Sequence, residues 1–351
     1  MALTFRELGG WPGVLTRLMA GRDLTGEEAG LALGEILAGE ATDAQIAAFV
    51  TALRAKGETV EELAGLVRAM LDRAEPLELE GDLLDTCGTG GDRSSSINVS
   101  TMAALVAAGA GARVCKHGGR AATSAAGSAD VLEALGVVID LGPDGVARCV
   151  EEVGMGFCFA PRFHPAMRFA IPVRRELGVP TIFNVLGPLA NPARARHQVV
   201  GVSDPAMAEK MLGVLAANGA RRALVVHGAD GLDELSTTGP STVLELGAEP
   251  GEIRRYQVDP ADLGLAPATV ADLRGGDAQA NAALLLRVLG GEAGPHRDIV
   301  LLNAAAALLV TGLVGDLAAG VDLARVTLDE GRAQKVLDEL VRVSRAAAPA
   351  A

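Results

Sequence analysis

Residues 82–136 read DLLDTCGTGGDRSSSINVSTMAALVAAGAGARVCKHGGRAATSAAGSADVLEALG, and this stretch decides the fold. An apolar run at Leu83-Leu84 stops at Asp85 and gives way to a loop of small residues. Gly88, Gly90 and Gly91 let the backbone take conformations that a side chain forbids and let a ligand come close. Successive exposed N–H groups in such a loop form an anion-binding concavity. Asp92 sets it apart from a plain phosphate cradle, because a carboxylate repels phosphate unless it accepts from sugar hydroxyls or acts through a cation. MAALVAAGA follows as a helix that Asn98, Ser100 or Thr101 can cap, with its N-terminus facing the loop. The pattern then recurs. ARVCKHGGRAATS is a short strand ending in Lys116-His117, two glycines, Arg120, Thr123 and Ser124, and Ser128-Ala129-Asp130 opens a helix closed by Gly136. Either turn alone is equally an ordinary strand-to-helix turn. Two within 55 residues, both rich in hydroxyls, favour a phosphate site.

Around that stretch, composition bounds the protein class. With 351 residues and 49% apolar content, the chain has room for a large core and two domains. No charge-free run is long enough to argue for a membrane span, and MALTFRELGGW lacks the pattern of a signal peptide, so a cytoplasmic protein is expected. The 31 Lys and Arg against 44 Asp and Glu give a net charge of −13, which opposes binding to nucleic acid or an anionic membrane. Seven Phe, one Trp and one Tyr offer no stacking platform for bases. Cys87, Cys115, Cys149 and Cys158 have no CxxC spacing and predict neither a zinc site nor a disulfide framework. Cys87 lies in the glycine loop and reads as a buried small residue rather than a nucleophile; Cys115 reads as core.

Residues 11–75 read as helices only, with Thr25-x-x-Glu28 and Thr59-x-x-Glu62 as capping boxes and Thr42 or Asp43 as a further cap. Pro76 ends this segment. Beyond it, LLDTC, ARVCK, GVVIDL, GMGFCFA, TIFNV, QVVGV and RALVVHG are short apolar runs with helical stretches between many of them. The expected fold is α/β: a small all-helical N-terminal domain over 1–76, and over 77–351 a large domain with a mainly parallel sheet flanked by helices. The ligand crevice of such a sheet lies at the strands' carboxyl ends, where the glycine loops fall. TVLELG adds a strand, HRDIVLLNAAAALLV reads as a buried helix, and Ala346 to Ala351 as a disordered tail.

Two further segments carry chemistry. Within 155–192, prolines at 161, 165 and 172 impose short turns and helices, and His164 sits among Arg162, Arg168, Arg174 and Arg175. His164 by itself reads as a turn residue bonded to backbone, whereas one of the arginines suits a substrate carboxylate. In RALVVHGADGLDELSTTGP a strand ends at His227-Gly228 and its turn presents Asp230, Asp233 and Glu234. A solvated acidic turn is one reading. Beside a phosphate cradle, a Mg²⁺–pyrophosphate site is the other.

GTGGD, NVST, KHGGR, GSADVLEALG, HPAM, VRRELG and FNVLGPLANPA together resemble the anthranilate phosphoribosyltransferase family, whose relatives include the pyrimidine nucleoside phosphorylases. The resemblance runs from about Leu15 to Val341 with the motifs in family order. It implies transfer of 5-phosphoribose from phosphoribosyl pyrophosphate to the amino group of anthranilate, a step of tryptophan biosynthesis. By the same resemblance, Gly88, Gly91, Asp92 and Ser96, with Asn98, Val99, Ser100 and Thr101, hold pyrophosphate and ribose. Lys116, His117, Gly118, Gly119 and Arg120, then Ala121, Ala122, Thr123 and Ser124, with Ser128, hold phosphate groups. Anthranilate is implied to meet Gly88, His117, Gly119, His164, Arg174 and Pro188. Asp233 and Glu234 match the acidic metal pair and Ser100 a further ligand, with two Mg²⁺ ions, one shared with pyrophosphate. A helical excursion near 165–192 is implied to rejoin the small domain, and a homodimer through that domain is expected.

The implied chemistry suits these residues. Displacement at the anomeric carbon passes through a sugar cation, so leaving-group charge must be stabilised, while the aromatic amine is neutral at pH 7 and needs no strong base. No catalytic acid or base is therefore expected. One position departs from the family: Gly119 stands where an Asn assigned to anthranilate is usual, which predicts weaker or less selective acceptor binding. A nucleoside phosphorylase would share the fold yet not need Asp233-Glu234. A nucleic-acid-binding relative is opposed by the charge.

Overall fold

The computed structural model describes residues 3–92, 94–121, 125–247 and 252–348. The N-terminal segment forms α1 (Gly10–Met19), α2 (Gly26–Ala38), α3 (Asp43–Lys56) and α4 (Val60–Asp72). Thr25, Thr42 and Thr59 each close a capping box, with Glu28, Gln45 and Glu62 returning the bond, so the entry of three helices is set by local chemistry. Glu62 does more than cap. It is fully buried, accepts Leu24 N at 2.9 Å, and pairs with Lys56 Nζ at 2.9 Å, which ties α3 to α4.

The rest of the chain builds a seven-stranded sheet of order β3-β2-β1-β4-β5-β6-β7. Its strands are β1 (Leu84–Gly88), β2 (Val114–Gly118), β3 (Met155–Phe159), β4 (His197–Gly201), β5 (Arg222–Gly228), β6 (Ser241–Leu246) and β7 (Ile253–Val258). The pairings from β3 across to β5 are parallel; β6 and β7 add on antiparallel. Between β1 and β2 lies α5 (Val99–Gly109), and α6 (Ser128–Ala134) and α7 (Pro143–Val153) lead into β3. Four short segments follow: α8 (Ala160–Phe163), a 3₁₀ turn, α9 (Ile171–Leu177) and α10 (Ile182–Leu189). Helix α11 (Ala208–Ala217) joins β4 to β5. The chain ends in α12 (Ala278–Leu289), α13 (Pro295–Val310), α14 (Leu317–Asp329) and α15 (Arg332–Ala347).

Alternation along each strand divides the core in two. Val199, Leu224 and Val226 face a cluster made with α5, α7 and α12 to α15, while Val200, Ala223 and Val225 face a cluster containing α1 to α4, α9, α10 and α11. The 165–192 excursion therefore packs with the N-terminal helices on one face of the sheet. Among the described residues no helix is long and apolar enough to cross a membrane.

Several expectations are corrected. The LLDTC run is strand β1, as expected, and the small-residue loop begins only after Gly88, with Asp85 fully buried and hydrogen-bonded inside the strand. TIFNV is helix, not strand: it follows Pro180, and Thr181 N donates to Asn184 Oδ1 at 3.1 Å, a capping contact that outweighs β-branched composition. GVVIDL joins no ladder. Val137, Ile139 and Leu141 point into the core, but Val138 N is satisfied by Ser344 Oγ of α15 at 3.1 Å. The expected disordered tail is helical through Ala347, and Arg148 holds the carbonyl of Ala346 at 3.3 Å; residues 349–351 lie outside the described residues. The polar edge strand β7 was not anticipated.

Candidate active site

The parallel strands end together at one edge of the sheet, where Gly88 of β1 lies opposite Gly201 of β4. Asp233 sits on these two glycines. A Cβ at Gly88 would strike its carboxylate, and one at Gly201 would strike its backbone carbonyl. Asp233 Oδ2 in turn accepts Gly90 N at 2.7 Å, so the acidic turn after β5 is bolted to the glycine loop after β1. Gly90 and Gly91 have φ of 68° and 83°, the left-handed region this tight loop requires. Its neighbour Glu234 accepts Ser100 N at 3.2 Å, capping α5 with a carboxylate from a distant element. Asn98, at the N-cap position, makes no capping bond. Its amide donates to Ala126 O at 3.1 Å and its oxygen accepts from Asn281 at 2.9 Å, linking the two glycine loops.

Burial, and then Asp92, raises the Asp233 carboxyl to about 6; burial, and then Asp233, pushes Glu234 well above the usual range, against the pull of Lys116. Three carboxylates thus crowd a water-poor edge beside the ammonium of Lys116. This excess of negative charge fits a hard divalent cation. Among the described residues no three His, Cys, Asp or Glu side chains form a complete ligand set by themselves. Asp230 is excluded from the set: it braces its own turn through Ser236 Oγ at 2.8 Å and Thr238 Oγ1 at 2.7 Å.

Lys116 is buried beneath the loops. Its ammonium donates to Thr86 O and, at 3.2 Å, to Ser100 Oγ. Its counter-charge is Asp85, whose oxygens accept His117 N at 3.1 Å and Asn191 Nδ2 at 2.8 Å. The second loop is organised by Asp130, which accepts Ala121 N and Gly127 N, both at 2.9 Å, and pairs with Arg120. Arg120 also pairs with Glu133 and lies over Phe159, so its charge is already engaged. Ser96 forms an isolated antiparallel backbone β-bridge with Arg274, and Asp92 accepts Ser94 Oγ at 2.6 Å. Ala122, Thr123 and Ser124 lie outside the described residues.

Beside the glycine loops is a second, less polar wall. The rings of His117 and His164 meet edge-on at 5.1 Å. His117 Nδ1 bonds Gly187 O at 3.2 Å, and His164 Nε2 bonds Ala190 O at 2.9 Å, so both lie against the end of α10 that carries Pro188. Cys87 Sγ donates to Pro188 O at 3.5 Å; burial raises its thiol well above the usual range, which makes it inert. Burial lowers His117 to about 3 and His164 to about 4, so both are neutral at pH 7. His117 Nε2 has no partner among the described residues. Arg174, half-buried on α9, has no carboxylate partner among them, and burial lowers its pKa. Gly119 leaves this wall open: among the described residues a Cβ there would meet only Ala160 Cβ, at 3.9 Å.

The bracing roles of Asp85, Asn191, Asp130 and Asn303 escaped the sequence reading. Asn303 clamps the acidic turn from α13 through both Leu235 N and Leu235 O, at 3.0 and 2.8 Å. A lone amide inside the apolar run of α13 was the available signal.

The fold and this edge define a two-part glycosyl transferase. Residues 12–74 match the model of a glycosyl transferase family helical bundle domain, and residues 80–334 that of the family's a/b domain. The anthranilate phosphoribosyltransferase of Roseiflexus castenholzii is 55% identical over 333 residues, covering 94% of this chain and 97% of that protein. That of a Nocardioides species is 56% identical over 336 residues, covering 94% and 98%. The crystal structure of anthranilate phosphoribosyltransferase from Thermus thermophilus superposes with a TM-score of 0.90 at 45% identity, covering 95% of this chain and 99% of that one. The Saccharomyces cerevisiae enzyme in complex with PRPP and Mg gives 0.88 at 27% identity, covering 96% and 98%. The chain belongs to the anthranilate phosphoribosyltransferase family.

Proposed function

We propose that this protein transfers the 5-phosphoribosyl group of phosphoribosyl pyrophosphate to the amino group of anthranilate, releasing pyrophosphate. The observation that supports this reading best is the junction of Asp233-Glu234 with the first glycine loop and the N-terminus of α5. It places paired carboxylates beside backbone N–H groups that suit phosphate. Bound there, Mg²⁺ would neutralise leaving-group charge on the pyrophosphate. Asp233, Glu234 and Ser100 would hold it, as two ions with one shared by the pyrophosphate.

The chain's own groups do the rest. Backbone N–H groups around Gly88 and Gly91, with the start of α5, orient the pyrophosphate and ribose. Asp92 accepts from ribose hydroxyls. The second loop, from Gly118 to Ser128, takes a phosphate group. Lys116, bonded to Thr86 O and Ser100 Oγ below both loops, supplies positive charge for the phosphate groups. Arg174, which has no carboxylate partner among the described residues, suits the anthranilate carboxylate, and neutral His117 offers Nε2 to the acceptor beside Pro188 and His164. No strong base is required, since the aromatic amine attacks unprotonated; positioning and exclusion of water supply the rate. Two domains dividing near Pro76 would form the walls of this cleft, and a homodimer through the small domain is part of the reading.

The test is the fluorescence of anthranilate in a mixture of protein, phosphoribosyl pyrophosphate and Mg²⁺. A decay that needs all three and stops with EDTA supports the proposal. A folded protein that binds phosphoribosyl pyrophosphate yet leaves the fluorescence unchanged overturns it.

A further inference from the structure

A second cavity, of about 320 Å³, opens at the opposite, amino-terminal end of β4 and β5. Its walls come from α4, α11 and the segment between α10 and β4. Two guanidiniums border it. Arg68 has no carboxylate partner among the described residues and donates only to Asn218 Oδ1 at 3.2 Å; Arg194 has Asp72 at 3.6 Å, with both side chains largely exposed. Deeper in, Gln198 is 6% exposed, and its Oε1 has no partner while its amide donates to Ala195 O at 2.9 Å. Asn218 Nδ2 is likewise buried and unpartnered. Both atoms are shut off from solvent, and an unpaired buried acceptor and donor are costly unless a small turn of the side chain brings them to a partner in the adjoining cavity. Leu71, Leu189 and Leu215 supply apolar wall between the polar groups.

We infer that this cavity binds a small amino-carboxylate with an apolar body, of the class of an apolar α-amino acid. The carboxylate faces Arg68, Arg194 and Asn218 Nδ2. A turn of the Gln198 amide brings Oε1 to the N–H donor, and the apolar body lies against the leucines. The volume admits a metabolite and excludes a peptide. Gln198 pairs in register with Asp85, toward the far end of β4 and β1 from the Gly88–Gly201 edge. The site is therefore separate from the glycine loops, and it does not rest on the transfer reaction proposed above. An occupant would bridge α4 to α11, the one in the helical bundle and the other on the sheet.

Calorimetry with L-leucine, L-phenylalanine and L-tryptophan tests this on the full chain. At least one should bind saturably at low millimolar concentration or below, with phenethylamine and 3-phenylpropionate at least roughly tenfold weaker, because each lacks one charge-assisted or donor contact. Arg68→Ala and Gln198→Leu should each weaken binding by about tenfold or more. Ala217→Trp, at an exposed position on the cavity rim, should block it while the melting temperature stays at the wild-type value. Absence of binding by all three amino acids overturns the inference. So does binding that all three variants leave unchanged.

Discussion

Glu234 Oε1 accepts the backbone N–H of Ser100 at 3.2 Å, across 134 residues of chain. One carboxylate thus caps α5 and belongs to the acidic pair, so the cap and the proposed metal site share a group. Glu234→Gln keeps an acceptor for the cap but removes the charge. We expect a fall in kcat/KM of about 10²–10³, the scale of losing one preorganised electrostatic contact, with stability changed by less than about 1 kcal/mol. Turnover against Mg²⁺ concentration, with thermal melting alongside, checks both halves.

Gly88 and Gly201 separate stability from activity. At Gly201 an added methyl meets the backbone carbonyl of Asp233, which cannot swing aside; at Gly88 it meets the carboxylate, which can. Gly201→Ala should cost about 1–3 kcal/mol of stability, as overpacking does. Gly88→Ala should melt nearer to wild type yet lose most of its activity through a displaced Asp233. Equal melting temperatures for the two variants would contradict this account.

Much of this site was legible because its chemistry is local in sequence. The glycine loops, the threonine caps and the Asp233-Glu234 turn each occupy a few consecutive residues. What was missed depends on partners far along the chain. Asp85 reads as the end of an apolar run until Asn191 and the N–H of His117 are seen to satisfy it. TIFNV and GVVIDL have strand composition, but a capping contact at Thr181 turns one into helix and Ser344 removes the other from the sheet. Strand β7, IRRYQV, alternates too little and carries two arginines, as befits an edge guarded against further pairing.

His117 and His164 should make stability fall in mild acid. Burial lowers them to about 3 and about 4, against an unfolded value of 6.5. Below pH 6.5 the unfolded imidazoles take up protons that the folded ones refuse, so unfolding binds protons and stability drops as pH falls. The contribution is complete above 6.5. At pH 5 each histidine should have cost about 2 kcal/mol. Denaturant titrations at pH 7.5 and 5.0 should show a smaller loss in His164→Gln than in wild type; parallel losses would count against the assignment.

Lys56 and Glu62 form a buried pair, with side chains 3% and 0% exposed. Lys56→Met leaves Glu62 with backbone partners but no counter-charge. A loss of about 3–5 kcal/mol is expected, as for breaking any buried pair from one side. Lys56→Met with Glu62→Leu should recover part of that loss, less the bonds that Glu62 accepts from Thr59 N at 2.8 Å and Leu24 N at 2.9 Å. Urea unfolding of the single and double variants measures the coupling directly.

Gly119 stands where the family resemblance implies an asparagine in the proposed acceptor site, and the structure leaves room for one. Its φ lies outside the left-handed region, and the nearest obstacle to a Cβ is Ala160 Cβ at 3.9 Å. An asparagine there adds an amide beside His117, whose Nε2 is unpartnered. If that wall holds anthranilate, Gly119→Asn should lower its KM several-fold, about 1 kcal/mol for one added hydrogen bond, and leave kcat and the KM for phosphoribosyl pyrophosphate near wild type. An altered KM for phosphoribosyl pyrophosphate alone would instead assign Gly119 to the phosphate loop. Unchanged values for both substrates would mean that backbone or water already makes the contact the asparagine was to supply.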